Sequence, residues 1–147
     1  MNESSEIMNP IAPAKTIANQ LMTGGDAFCS FEANTPERKA LLYNAMQNPD
    51  KRLGDCINMT INVKDFYVHA VELENEKTGE IDIVPRIVLI DAKGVSYVAV
   101  SLGIFGALRS LCAVFGQPAE WGEKGLALDV KQITKGDKKM LSLALHK

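Results

Sequence analysis

The chain has 147 residues, 46% of them hydrophobic and 23% charged, and its formal net charge is −2. This length and composition suit one globular domain with modest extensions, and the charge excludes a strongly basic protein that coats nucleic acid indiscriminately. No apolar stretch approaches the ~20 residues that cross a bilayer, and residues 1–6 carry acid where a signal peptide is basic. We therefore expect neither a membrane span nor a signal peptide.

The cysteines and histidines bear on redox compartment and on metals. None of the three cysteines, Cys29, Cys56 and Cys112, forms a CxxC pair. An odd number of cysteines without a disulfide framework suits a reducing cytoplasm. With only His69 and His146 besides, no metal-ligand spacing exists, so we expect no metal and no other cofactor.

Residues 1–54 are predicted to be an N-terminal arm and a helix that pack on the rest of the chain, rather than a second domain. A short strand is predicted at residues 27–31. Thr35 and Pro36 then predict the start of a helix, because Thr is a favoured N-cap and Pro is favoured at the first helical position. An Asn-Pro pair at 48–49 predicts its end.

A regular succession of elements follows from residue 55. Three β-type runs, one amphipathic helix and two further β-type runs follow one another at 57–73, 81–91, 95–101, 102–115, 125–134 and 140–145. The runs alternate apolar and polar residues with the period of a strand, and glycine-containing turns between them suit hairpins. The first run is too long to be straight, and its apolar parity shifts near Lys64 and Asp65, which predicts a β-bulge.

This order of elements is that of the OB-fold, a five-stranded Greek-key barrel whose helix lies between the third and fourth strands. We therefore predict a mainly β chain with an OB-fold domain at residues 55–147 and a helical elaboration before it. Oligonucleotides and oligosaccharides commonly bind OB-folds across the second and third strands. The fold alone does not decide among ligands.

Charges are unevenly placed along the predicted barrel. Residues 72–82 hold five acids and one lysine, whereas residues 131–147 hold five lysines and one acid. The basic stretch leaves room for a localised phosphate-binding stripe. The alternative is that both stretches are simply solvated surface.

Several segments resemble one known family. They are VHAVEL at 68–73, TGEI at 78–81, PRIVLID at 85–91, GIFGAL at 103–108 and VKQIT at 130–134. Together they resemble the OB-fold single-stranded-DNA-binding proteins of bacteriophages, the group that includes those of protein-primed phages. The resemblance covers about 55–145 and implies a replication accessory protein in the host cytoplasm. It also implies single-stranded DNA as ligand, and replication or recombination proteins as partners.

Binding a single strand without sequence choice needs aromatic faces for the bases and cations along the phosphates. The predicted aromatic contacts are Tyr97, Tyr67 and Phe66. The predicted phosphate contacts are Arg86, Lys93, Lys131, Lys135, Lys138 and Lys139. Tyr97 and Arg86 are expected to point outward, an interpretation that depends on a one-residue register. For Tyr97 the alternative is a tyrosine that covers an apolar patch outside the barrel, and Trp121 is predicted to cap the core.

We predict a non-enzymatic protein that protects and extends single-stranded DNA during replication or recombination. One alternative is an OB-fold interaction module of a replication complex without DNA affinity, marked by an exposed apolar patch around Tyr67, Val71 and Tyr97. An OB-fold that binds structured RNA is a weaker alternative. No enzyme is expected, because the carboxylates at 72–80 surround a hairpin loop without a base or a metal pattern. Pairing of copies through barrel edges stays open.

Overall fold

The described part of the chain, residues 27–147 of a computed structural model, is a sheet with two α-helices. Its elements in chain order are β1 (Ala27–Cys29), α1 (Pro36–Gln47), β2 (Lys51–Arg52), β3 (Thr60–Glu74), β4 (Ile81–Asp91), β5 (Ser96–Val100), α2 (Leu102–Phe115), β6 (Leu126–Lys135) and β7 (Lys138–Leu145). The predicted order from β3 to β7 is confirmed, and the mainly β structure fits an OB-like fold. The predicted arm before residue 27 lies outside the described residues.

Local sequence signals place the two helices. Thr35 accepts a hydrogen bond from the backbone N–H of Arg38 at 3.2 Å, so it caps α1 as predicted. Ser101 caps α2 in the same way, because its hydroxyl accepts from the N–H of Ile104 at 3.1 Å. The predicted bounds of α2 are confirmed.

The strand order is β2-β5-β4-β3-β6-β7, and β1 pairs with β3. The long strand β3 has three partners: Thr60 to Val63 pair with β6, Tyr67 to His69 pair with β1, and Val63 to Glu74 pair with β4. The register shifts between Val63 and Asp65, which confirms the predicted bulge. At Gly125 φ is +70° and an added Cβ would collide with the Val63 carbonyl, so glycine lets β6 begin close to β3.

One face of the sheet, the inner face, is buried against α2. The buried residues of this core include Phe66, Val68, Ile87, Leu89, Ile104, Leu108, Leu128 and Val130. Trp121 closes the cluster: its ring lies 6.2 Å from that of Phe66, and its indole N–H donates to the Gly116 carbonyl at 2.9 Å. The prediction that Trp121 caps the core is confirmed.

The opposite face, the outer face, is covered at one end by α1. Tyr67, Val88 and Ile90 form a second buried cluster there, with Phe31 before α1 and Ala45 within it. The sheet is therefore apolar on both sides beneath α1, and the rest of the outer face carries polar groups. The rest of the outer face includes His69, paired across the strands with Arg86.

The predicted outward orientation of Tyr97 was wrong. Tyr97 is buried in the inner core, and its neighbour Val98 packs on the outer cluster instead. Because Val98 packs on the outer cluster while Tyr97 and Ala99 pack on the inner one, both sides of this strand are apolar there. Alternation alone could therefore not decide which side faces inward.

Candidate nucleic-acid interface

An open cleft of about 600 Å³ lies at the edge of the sheet where β2 meets β5 and β4. The residues that line it are Pro49, Asp50, Lys51, Arg52, Asp55, Cys56, Met59, Arg86 and Val98. Three of them are cations and two are carboxylates. We call this depression the outer cleft.

Hydrogen bonds to Ser96 hold the β2 edge of the outer cleft in place. The buried Ser96 donates from its backbone N–H and from its hydroxyl to the Asp50 carboxylate, at 2.9 and 3.1 Å. The Ser96 hydroxyl accepts in turn from the Asp50 N–H at 3.0 Å. These hydrogen bonds hold the carboxylate of Asp50 against β5. The next two residues, Lys51 and Arg52, form β2 and are exposed.

Arg86 enters the outer cleft from β4. Its Nη1 atom is buried, as is Nδ1 of the cross-strand residue His69, and neither has a hydrogen-bond partner within residues 27–147. Burial lowers the pKa of His69 from its usual 6.5, and the charge of Arg86 lowers it further. His69 is therefore neutral at pH 7 and does not compete with Arg86 for an anion. A guanidinium with unused donors suits a phosphate oxygen.

Tyr97 lies beneath the β2 edge, where its buried ring packs against the strand and is not available to stack on a base. Its hydroxyl donates to the Asp91 carboxylate at 3.2 Å, and Nζ of Lys51 lies 5.9 Å from its ring centroid. Burial, reinforced by the charge of Asp91, raises the pKa of Tyr97 to about 12. The hydroxyl therefore stays protonated and remains a donor at any physiological pH.

The predicted aromatic contacts do not present their rings. Phe66, Tyr67 and Tyr97 each expose 7% or less of their surface, so the expectation of open stacking platforms was wrong. Phe66 and Tyr67 do lie on opposite faces of β3, but both faces are covered. Contact of these residues with DNA stays a prediction.

Sequence reasoning missed the most exposed aromatic residue. Tyr43 on α1 is 62% exposed. Leu41, Leu42 and Ala45 turn toward the sheet, and helical geometry puts Tyr43 on the opposite side. A helical projection of α1 around its buried residue Ala45 would have shown this.

The predicted cations fall into separate places. Lys93 is exposed in the turn between β4 and β5, and Lys131, Lys135, Lys138 and Lys139 are exposed on the hairpin of β6 and β7. Only Arg86 lines the outer cleft. Its companions Lys51 and Arg52 were missed because a strand of two residues gives no periodic signal, although an adjacent Lys-Arg pair was visible.

The mainly β structure fits an OB-like fold, and its outer cleft holds three cations and two carboxylates. Comparison with known proteins makes the class specific: a family model described as Phage Single-stranded DNA-binding protein, of the Phi29 type, matches residues 24–146. Neither the curated proteins nor the solved structures contain a match. The chain belongs to this family of phage single-stranded-DNA-binding proteins.

Membership of the family confirms the prediction of a protein that binds single-stranded DNA in phage replication. Proteins of this family are non-enzymatic DNA-binding proteins. Nothing in the match favours an interaction module without DNA affinity, and the apolar patch expected for that alternative is not formed, since Tyr67 and Tyr97 are buried. Within residues 27–147, no helix is long and apolar enough to span a membrane.

Proposed function

We propose that single-stranded DNA crosses the outer cleft and that Lys51, Arg52 and Arg86 contact its phosphates. The unpartnered Nη1 of Arg86 carries this proposal. A buried guanidinium donor without an acceptor is unfavourable by about 1–3 kcal/mol. Because this atom is buried in the free protein, the guanidinium must turn into the cleft, where a phosphate oxygen would supply the missing acceptor. Contacts to phosphate carry no base information, which suits binding of any sequence.

The consequences for the DNA follow from the shape of the cleft. It is open and lies across the edge of the sheet, so a strand passes over it without being enclosed. Phosphates held at successive cations keep the strand extended, so that hairpins cannot form in the bound segment. Release then needs only displacement by a polymerase, and no chemical step.

Charge removal in the outer cleft tests the location. At low salt, Arg86→Gln should lower the affinity for oligothymidine about tenfold, the worth of one charge-assisted hydrogen bond. Because each phosphate contact contributes about 0.7 to the log–log salt slope for single strands, this variant should flatten the slope by about 0.7, and Lys51→Gln/Arg52→Gln/Arg86→Gln by about 2. Fluorescence anisotropy over a salt series measures both quantities.

Arg109→Gln is the matched control, since Arg109 is an exposed arginine on α2 that does not line the cleft. It should leave affinity and slope unchanged. Equal slopes for the wild type and the triple variant would show that the phosphates lie elsewhere, and the lysines of the β6–β7 hairpin would become the next candidates.

We propose Tyr43 as the residue that stacks on a base. It is the only tyrosine that is not buried, and α1 leads through residues 48–50 directly into the cations of β2. Base stacking on an aromatic side chain contributes ~1–3 kcal/mol. Tyr43→Ala should therefore weaken oligothymidine binding about 5- to 150-fold, and Phe115→Ala on α2 should not. Retained affinity in Tyr43→Ala would exclude this role.

The remaining sequence predictions are kept as proposals. We infer that Lys93 can contact DNA that leaves the cleft, and that the lysines of the β6–β7 hairpin can do so in a copy that has no neighbour on this hairpin. We also propose that residues 55–147 form a five-stranded Greek-key barrel, with the segment before them packed on it. Support comes from the pairing of β3 with both β4 and β6, and from the pairings β4–β5 and β6–β7. Three free cysteines agree with action in the host cytoplasm.

A further inference from the structure

Two hairpins extend beyond the packed core and carry opposite charge. The acidic arm, residues 71–84, holds five carboxylates and one lysine. The basic arm, residues 131–140, holds four lysines and one aspartate. In the described part of the chain no third strand pairs with residues 71–74 or 81–84, nor with residues 131–135. A two-stranded ribbon is marginally stable in water by itself, so each arm gains from a partner.

The acidic arm exposes large apolar side chains that its charge does not explain. Ile81 and Ile83 are 62% and 59% exposed. The register places them on one face of the ribbon opposite Glu74 and Glu72. Carboxylates at this density repel DNA, so the apolar face of the acidic arm points to a protein partner.

The basic arm has the matching surface. Ile133 and Met140 face each other across the strands and are 46% and 40% exposed. Lys131 precedes this apolar pair on the same face, and the cross-strand pair Lys135 and Lys138 follows it. An apolar centre between lysines is complementary to isoleucines flanked by glutamates.

The two arms cannot meet within one copy of the chain. The basic arm continues β6 beyond its pairing with Thr60, whereas the acidic arm begins at Val71 near the other end of β3. Eleven residues of strand separate these points, about 35 Å at ~3.3 Å per residue. A contact between different patches at opposite ends joins copies head to tail and does not close on itself.

We propose that the acidic arm of one copy docks on the basic arm of the next, so that Ile81 and Ile83 pack on Ile133 and Met140. The proteins then line up in a row along single-stranded DNA and bind it cooperatively. In the row Lys131, Lys135 and Lys138 pair with the glutamates of the neighbour, while Lys139, which lies on the other face of the hairpin, stays free for phosphate. The phosphate contacts of the row then come mainly from the outer cleft.

Self-association without DNA tests the contact independently of the DNA site. Sedimentation equilibrium of the full chain at low salt should show an average mass that rises with concentration and falls when salt is added. Ile81→Thr/Ile83→Thr keeps β-branched side chains but removes the apolar contact, and should lower the association constant at least tenfold. Val114→Thr is the matched control, because Val114 is 75% exposed on α2 and lies outside both arms. A loss of association in the control alone would place the interface on α2 and overturn the proposal.

Charge reversal on both arms tests whether a loss of association comes from lost charge pairing or from unfolding, because an unfolded variant would not recover association. Glu72→Lys/Glu74→Lys should abolish association, and Lys131→Glu/Lys138→Glu should do the same. The chain that combines all four changes exchanges the signs of the contacting side chains, so opposite charges face each other again at these four positions and its association should return. A combined chain that fails to regain association, or a wild type that stays monomeric and binds long oligothymidine without cooperativity, would overturn the proposal.

Discussion

Arg86 and His69 face each other across β4 and β3, and burial together with the charge of Arg86 lowers the pKa of His69. Because the imidazole of His69 is neutral, Arg86 is the only positive charge of this pair in the outer cleft. Both residues have a buried nitrogen without a partner among residues 27–147. The phosphate contact that we propose for Arg86 would therefore be coupled to the protonation of His69.

The lowered pKa of His69 predicts a pH dependence of stability. A base whose pKa is lower in the folded than in the unfolded chain contributes stability that is complete above the unfolded pKa near 6.5. That stability is lost as the pH falls through the folded pKa. Between pH 7 and pH 5, the wild type should therefore lose more unfolding free energy than His69→Gln, as measured by urea denaturation.

An NMR titration of the imidazole signals checks the same point directly. His69→Gln identifies the His69 signal, and His146, which contacts Asp129 at 2.9 Å, gives the second histidine signal. A titration midpoint for His69 above 6.5 in the free protein would contradict the prediction. Bound oligothymidine should raise the midpoint, because a phosphate near Arg86 offsets the repulsion that lowers it.

At the scale of elements, α1 is the least firmly held. Ala45 is its only buried residue, with Leu41 and Leu42 half-buried beside it. The guanidinium carbon of Arg38 lies over the ring of Phe31, just before the helix, at 5.6 Å from the ring centroid. The helix thus rests on the outer face through a small apolar contact.

Ala45→Glu should release α1 from the sheet without unfolding the core. A carboxylate at this position is buried without a partner, which is unfavourable by about 3 kcal/mol or more. Hydrogen exchange of residues 36–47 should accelerate, while the amides of β3 and β4 keep their protection. Ala40→Glu introduces the same charge on the exposed side of α1 and should change neither. Uniform loss of protection in Ala45→Glu would show instead that α1 and the sheet unfold as one unit.

Elements with strong local signals were predictable, and those without were not. The cap of α1, the bounds of α2 and the bulge in β3 depend on a few adjacent residues, and each lies where the sequence predicts it. The strand β2 has two residues and owes its existence to the Asp50–Ser96 hydrogen bonds, which join positions 46 residues apart. No window of the sequence contains that information.

At the scale of the whole molecule, the uneven distribution of charge could be predicted from the sequence, whereas the places of the charged stretches in the fold could not. The acidic and basic stretches were evident from composition, but their positions at opposite ends of β3 follow from strand register. The same holds for the candidate DNA site. Arg86 was predicted, whereas its neighbours Lys51 and Arg52 join it only because the chain after α1 returns to the edge of β5.

The short connection between α1 and β2 has a thermodynamic consequence. Only residues 48–50 separate α1 from Lys51 and Arg52, so DNA held by these cations, as we propose, would also restrain the helix. Packing of α1 on the sheet and binding of single-stranded DNA are then linked equilibria. Each must favour the other by the same factor. A protein or a solution condition that lifts α1 would thereby lower the affinity for DNA without touching any phosphate contact.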